Sequence, residues 1–195
     1  MNPAGESLKQ PLRSRLLEVI LRLSFQRGRF QLASGAWSDY YLDLRQSTLD
    51  PEGLAATSSL FWPVLAEAHV TAVGGPTLGA DPIVAGLLLE SIRHSVALQG
   101  FLVRSAAKDH GTGRQIEGHC PSGARVAVLD DVATRGGSIL RAIRVARAAG
   151  AQPVLAMALV DRDQGGRQAI ENEGVAFHAL FQVAEILSEA SRRGL

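Results

Sequence analysis

Three observations predict an α/β protein built on a doubly wound, mainly parallel sheet. From Val70 onward, short apolar runs alternate with amphipathic or Leu-rich segments, the texture of successive βα units. Val126 to Leu129 carries no polar residue at all, which reads as a strand buried on both faces. Gly74-Gly75, Arg104, Asp130-Asp131 and Asp161-Arg162 each follow a predicted strand, so one edge of the sheet gathers them. In open α/β sheets that edge binds the ligand.

The elements follow in order. Leu12, Leu16, Val19, Ile20 and Leu23 recur at helical spacing, predicting a helix from Pro11 to Phe25. Alternation at Phe30 and Leu32, and again from Tyr40 to Leu44, predicts two strands around a Ser34-Gly35 turn. Asp50 is placed as a cap and Pro51 as the first residue of a helix running to about Glu67. Strands are then expected at Val70 to Val73, Val96 to Val103, Val126 to Leu129, Pro153 to Val160 and Val175 to Leu180. A Leu-rich helix is expected after the first of these strands, an amphipathic one with Ile139, Leu140 and Ile143 on one face after the third, and a last helix closes the chain.

A length of 195 residues suits one domain with a full core. The net charge of +1 implies no broad basic face, which argues against a nucleic-acid partner. Cys120 is the single cysteine, so an intrachain disulfide and a thiolate zinc cluster are both excluded, and a reducing cytoplasm is the expected setting. The first seven residues are polar and lack a secretory apolar core. The longest apolar run, Ile83 to Leu89, is too short to span a bilayer, so no membrane partner is expected.

The stretch from Arg125 to Ser138 runs strand, acidic pair, glycine turn, helix. Glycines let several N–H groups and the positive end of the following helix converge on one anion, making Thr134-Arg135-Gly136-Gly137-Ser138 a candidate phosphate cradle. Ser138 fits a helix N-cap. Asp130 and Asp131 would repel a phosphate but suit sugar hydroxyls or a hydrated Mg²⁺. The Gly74 to Asp81 turn either offers amides to a second phosphate group or merely turns the chain. Arg104, Lys108 and His110 put cations on a glycine-flanked loop, which reads as a clamp for a leaving diphosphate or as a solvated basic loop. Of the histidines only His110 is placed for function; His69, His94, His119 and His178 read as surface or core residues.

Residues 126–138, Val-Ala-Val-Leu-Asp-Asp-Val-Ala-Thr-Arg-Gly-Gly-Ser, resemble the signature of the type I phosphoribosyltransferases, which bind 5-phosphoribosyl-1-pyrophosphate (PRPP). Phe101-Leu-Val-Arg-Ser-Ala-Ala-Lys-Asp-His-Gly narrows the likeness: it resembles the catalytic loop of the orotate phosphoribosyltransferase family, commonly Val-Arg-Lys-x-x-Lys-x-His-Gly. Leu32 to Arg45 and Val160 to Arg167 resemble further segments of that family.

The resemblance implies one phosphoribosyltransferase domain over 1–195, with an N-terminal helix and hood over about 1–68 and a PRPP-binding core over about 69–195. It implies a Mg²⁺-dependent, homodimeric enzyme making orotidine 5′-phosphate and pyrophosphate from orotate and PRPP, with a loop shared across subunits. PRPP and pyrophosphate would be held by Arg104, Lys108, His110, Asp130, Asp131, Thr134, Arg135, Gly136, Gly137 and Ser138. Lys108, His110, Asp130 and Asp131 would be catalytic. Orotate would meet Thr134, Arg162 and Tyr41, and Mg²⁺ would be bound mainly through PRPP near Asp130 and Asp131. Read from the residues alone, Arg162 also suits an ion pair with Asp161 or Asp163, and Tyr40 and Tyr41 also suit a strand core. Ser105, Ala33 and Leu78 depart from the family by standing where members carry lysines. A transferase for another base, or a PRPP-binding regulator without turnover, shares most of these features.

Overall fold

A computed structural model describes residues 3–31, 35, 37–105 and 115–195. The N-terminal part comprises α1 (Pro3–Leu23), a hairpin of β1 (Phe25–Gln31) and β2 (Trp37–Leu42), the single turn α2 (Arg45–Thr48) and α3 (Pro51–Glu67). The remainder alternates: β3 (Ala72–Pro76), α4 (Ala80–Arg93), β4 (Gln99–Val103), β5 (Ile116–Gly118), β6 (Arg125–Ala133), α5 (Gly137–Ala148), β7 (Gln152–Asp161), α6 (Gly166–Glu171), β8 (Ala176–Gln182) and α7 (Val183–Arg192). The six strands β3 to β8 lie in the order β5-β4-β3-β6-β7-β8; β5 runs antiparallel to β4 and the other pairings are parallel.

Strand β6 shows how the sheet is covered on both sides. Ala127 and Leu129 join the core shared with α3, α4 and α7, while Val126 and Val128 join the core against α5, as a strand's twofold alternation requires. Phe61, Ile83 and Leu87 fill the first layer, and Ile139, Ile143 and Ile170 the second. Burying both faces explains the uninterrupted apolar run.

Several boundaries differ from the sequence expectation. Helix α1 starts before Pro11 and contains it, and the chain is already a strand at Phe25. Asp50 caps α3 as predicted, its Oδ1 accepting from the backbone N–H groups of Glu52 and Gly53 at 3.0 Å each. Strand β6 does not stop before the carboxylates; it carries them and continues to Ala133, because its ladder with β7 pairs Asp130 with Ala158 and Ala133 with Asp161. Gly74 and Gly75 likewise lie inside β3. Elements β5, α2 and α6 went unpredicted.

Candidate active site

The strand order sets the place. After β3 the chain moves to β4 on one side; β6, β7 and β8 then build out on the other. The order therefore switches between β3 and β6, and the crevice outside their carboxyl ends is where an open α/β sheet receives a ligand. Both glycine corners, β3 to α4 and β6 to α5, open into that crevice.

At the β6 corner Gly136 adopts φ +77°, a left-handed conformation that other L-residues enter at a cost. It, and not Ser138, is the N-cap of α5. Ser138 lies within the first helical turn, and its Oγ donates to Asp130 Oδ2 at 2.7 Å, which corrects the predicted cap. Among the described residues the N–H groups of Arg135 and Gly136 donate to no protein acceptor. The first amides of α5 have no partner within their own helix either. A side chain at Gly137 would meet open space. The turn is thus a concave row of donors at a helix N-terminus, a geometry suited to an anion.

The alternation that sorts the apolar residues of β6 sends the two carboxylates to opposite sides. Asp130 follows Val126 and Val128 toward α5 and meets Ser138, and its Oδ1 also accepts from the N–H of Asp131 at 3.0 Å. Asp131 follows Ala127 and Leu129. Both are buried, at 6% and 8% exposure. Burial, then the neighbouring charge of Asp131, pushes the Asp130 carboxyl up to about 8, while the Ser138 hydroxyl opposes the rise. Burial raises Asp131 as well, against the pull of Asp130's hydrogen bonding and the positive charge of Arg45. Arg45 is itself fixed on Asp43, at 2.8 Å from Oδ1 and 3.1 Å from Oδ2.

The β3 corner reaches these carboxylates through Gly79. A methyl there would lie 2.4 Å from Asp130 Oδ1 and 2.5 Å from Asp131 Oδ1, so the absence of a side chain is what lets the two corners meet. Leu78 points outward, 67% exposed. Just past β4, Arg104 donates its backbone N–H to Gln115 O at 2.9 Å and approaches Glu117 Oε1 to 3.4 Å, joining the two ends of the intervening segment at the sheet edge. Lys108 and His110 belong to that segment and lie outside the described residues.

Beyond β7, Arg162 is anchored by its backbone N–H on Ala133 O (2.8 Å) and donates from Nη2 to the Tyr40 hydroxyl at 3.0 Å. The acid at the end of β7 pairs elsewhere: Asp161 lies 3.6 Å from Arg167 and accepts from the N–H of Asp163 at 2.9 Å. Tyr41 is not brought to Arg162. It occupies the other face of β2, 40% exposed, with its ring 5.5 Å from Phe30. Thr134 sits beside Arg162 in the fold, its carbonyl accepting from the N–H of Gly166 at 3.0 Å. A cavity of about 780 Å³ lies between β5 and α5, lined by Ile116, Cys120, Arg141 and Val145, and contains none of the predicted site residues.

Gly79, Arg45 and Tyr40 went unmarked as site residues in the sequence reading. The signal for Gly79 is a glycine in a strand-to-helix turn, and for Tyr40 and Arg45 it is their place in the Leu32 to Arg45 stretch that resembles the family.

No protein-family model matches the chain. An orotate phosphoribosyltransferase from Aquifex aeolicus is 44% identical over 158 residues, covering 81% of this chain and 86% of its own length. The chain belongs to the orotate phosphoribosyltransferase family. Solved structures agree with that family: the orotate phosphoribosyltransferase of Mycobacterium tuberculosis H37Rv superposes with a TM-score of 0.79 at 37% identity, covering 90% of this chain and 99% of that one. The same enzyme in complex with PRPP superposes at 0.75 with 32% identity and the same coverage. With its mainly parallel sheet and small antiparallel N-terminal hairpin, this chain thus has the overall fold of the orotate phosphoribosyltransferase it superposes on.

Proposed function

We propose that this chain transfers the 5-phosphoribosyl group from PRPP to orotate, giving orotidine 5′-phosphate and pyrophosphate, as one domain whose hood, about 1–68, covers a PRPP-binding core, about 69–195. The observation that carries the reading is the meeting of an unpaired amide row with two buried carboxylates at the switch point between β3 and β6. A ribose bearing a 5′-phosphate satisfies both at once: amides toward the anion, acids toward the hydroxyls.

In this reading Thr134, Arg135, Gly136, Gly137 and Ser138 hold the 5′-phosphate, and Asp130 and Asp131 orient the ribose hydroxyls while positive charge develops on the ring. The orotate nitrogen gives up its proton and forms a bond to C1 of the ribose as the bond from C1 to the pyrophosphate oxygen breaks; pyrophosphate leaves with the electron pair and takes up the proton. Arg104, Lys108 and His110 stabilise that departing charge. Arg162, whose planar guanidinium matches a carboxylate, orients orotate beside Thr134.

Among the described residues no group of three or more His, Cys, Asp or Glu side chains is arranged to enclose a metal. Two adjacent carboxylates fit a hard cation that takes its remaining oxygens from a bound diphosphate, so Asp130 and Asp131 are the residues that would meet Mg²⁺. Bound there, Mg²⁺ would neutralise charge on the leaving group.

The working form proposed is a cytoplasmic homodimer in which the segment carrying Lys108 serves the neighbouring site. Leu89 and Ile92, 65% and 71% exposed one turn apart on α4, support an apolar face for a second copy. Among the described residues no helix is long and apolar enough to cross a membrane. The deciding experiment follows orotate absorbance after addition of PRPP and Mg²⁺. A decline that stops when PRPP is exhausted is expected; a flat trace with PRPP bound would leave a transferase for another base or a regulator.

A further inference from the structure

The bond between Arg162 and Tyr40 joins residues 122 positions apart, one at the end of a core strand and one in the N-terminal hairpin. Arg162 is fixed at its backbone by Ala133 O, but its side chain is long and holding it in one rotamer is entropically unfavourable. Its near neighbours do not hold it: Asp161 accepts from Asp163 and Gln182 and lies against Arg167. The far end is held by Tyr40, through the 3.0 Å bond from Nη2 to the phenol oxygen and through the ring, 5.3 Å from the guanidinium carbon. Arg162 Nε has no partner either but is buried, so the donors open to a ligand are on Nη1 and the second Nη2 hydrogen.

Tyr40 is itself well held. Its ring stacks on Phe25 at 6.2 Å, and its carbonyl accepts from Ser38 Oγ at 2.7 Å. Both contacts lie within the hairpin, which gives the phenol a fixed position independent of any ligand.

We propose that Tyr40 is a positioning residue: from the hood hairpin it locks the Arg162 guanidinium so that the remaining donors meet the carboxylate of the base in a single orientation. The inference rests on the assignment of Arg162 to that carboxylate under the proposed function. It also makes the hairpin part of base selection, since Tyr40 is contributed by β2 and not by the core sheet.

Tyr40→Phe removes the hydroxyl and keeps the ring, its stacking on Phe25 and its contact with the cation. The KM for orotate is expected to rise about tenfold, the value of one hydrogen bond to a charged group. The KM for PRPP and the melting temperature are expected to hold. Arg162→Lys, which loses the planar fork, should raise the orotate KM further, and the double variant Tyr40→Phe/Arg162→Lys should match Arg162→Lys alone because the phenol then has no guanidinium to position. An unchanged orotate KM in Tyr40→Phe beside a raised one in Arg162→Lys overturns the role of Tyr40 and leaves the base assignment standing; so does full additivity in the double variant. An unchanged orotate KM in Arg162→Lys overturns both.

Discussion

Two glycine corners face each other across the crevice between β3 and β6, and their glycines act in opposite ways. Gly136, at the β6 corner, is there for its backbone: φ +77° turns the chain so that amides line up at the head of α5. Gly79, at the β3 corner, keeps an ordinary right-handed helical conformation, φ −61° and ψ −39°, and matters for the side chain it lacks, since any Cβ would press on both carboxylates. One glycine shapes a surface and the other makes room beside it. Among the described residues, Asp130 and Asp131 lie where those two functions meet.

The β3 corner carries no cation and Arg135 of the β6 corner is assigned to the 5′-phosphate, so the departing diphosphate depends on cations outside both corners, and this gives the largest expected effect. Lys108→Ala should lower kcat by at least about a hundredfold, the range for loss of one preorganised donor to developing charge, while binding of orotidine 5′-phosphate, which lacks the diphosphate, holds. Rapid-mixing kinetics beside product titration separate the two. Parallel losses would move the segment from chemistry to simple binding.

Gly79→Ala comes next and probes the steric corner. Both carboxylates it would strike are buried, and that of Asp130 is tied to Ser138 and to the Asp131 amide, so it has little freedom to withdraw. Overpacking of this kind costs about 1–3 kcal/mol, and a rise of roughly ten- to a hundredfold in the KM for PRPP is expected, with a smaller change in melting temperature. A normal KM would separate the β3 corner from the carboxylates in the working protein.

Gly136→Ala probes the conformational corner and should act differently. A left-handed alanine costs about 1–2 kcal/mol, and its Cβ would also lie 3.2 Å from Gly166 O. Here the melting temperature should fall by several degrees along with a roughly tenfold loss in PRPP affinity. If calorimetry finds Gly79→Ala the less stable variant, the contrast between the two corners fails.

The same contrast explains what could be read in advance. The β6 corner is continuous in sequence, thirteen residues whose order alone spells strand, acids, turn and helix, and the parallel sheet followed from its apolar runs. Gly79 against Asp130, Arg45 near Asp131 and Arg162 on Tyr40 join residues far apart in the chain, which no local pattern records. Strand β1, Phe-Gln-Arg-Gly-Arg-Phe-Gln, is largely exposed, so its alternation shows only toward Phe30, and the helical spacing before it extends the expected helix to Phe25. Strand β5, with three residues, and α6, with six, are too short to show a period. The carboxylates looked like a strand terminus because charge seldom enters a buried sheet.

That burial leads to the smallest effect. Asp130 titrates at about 8 in the folded protein and near 4 once unfolded. Between those values the folded state keeps a proton that the unfolded state has released, so the contribution of Asp130 is complete below about pH 4 and is lost as pH rises toward 8. Asp130→Asn stays neutral throughout. Its melting temperature should therefore gain on the parent as pH goes from 5 to 8, by about 2–4 °C for each kcal/mol. The ligand reverses the ranking, because sugar hydroxyls and Mg²⁺ favour the ionised acid: at pH 8, PRPP with Mg²⁺ should raise the melting temperature of the parent and leave Asp130→Asn nearly unmoved. Thermal scans at both pH values, with and without PRPP, provide the comparison. Parallel pH curves for the two proteins would mean that Asp130 is ionised in the folded state and that the crevice is more solvated than its 6% exposure implies.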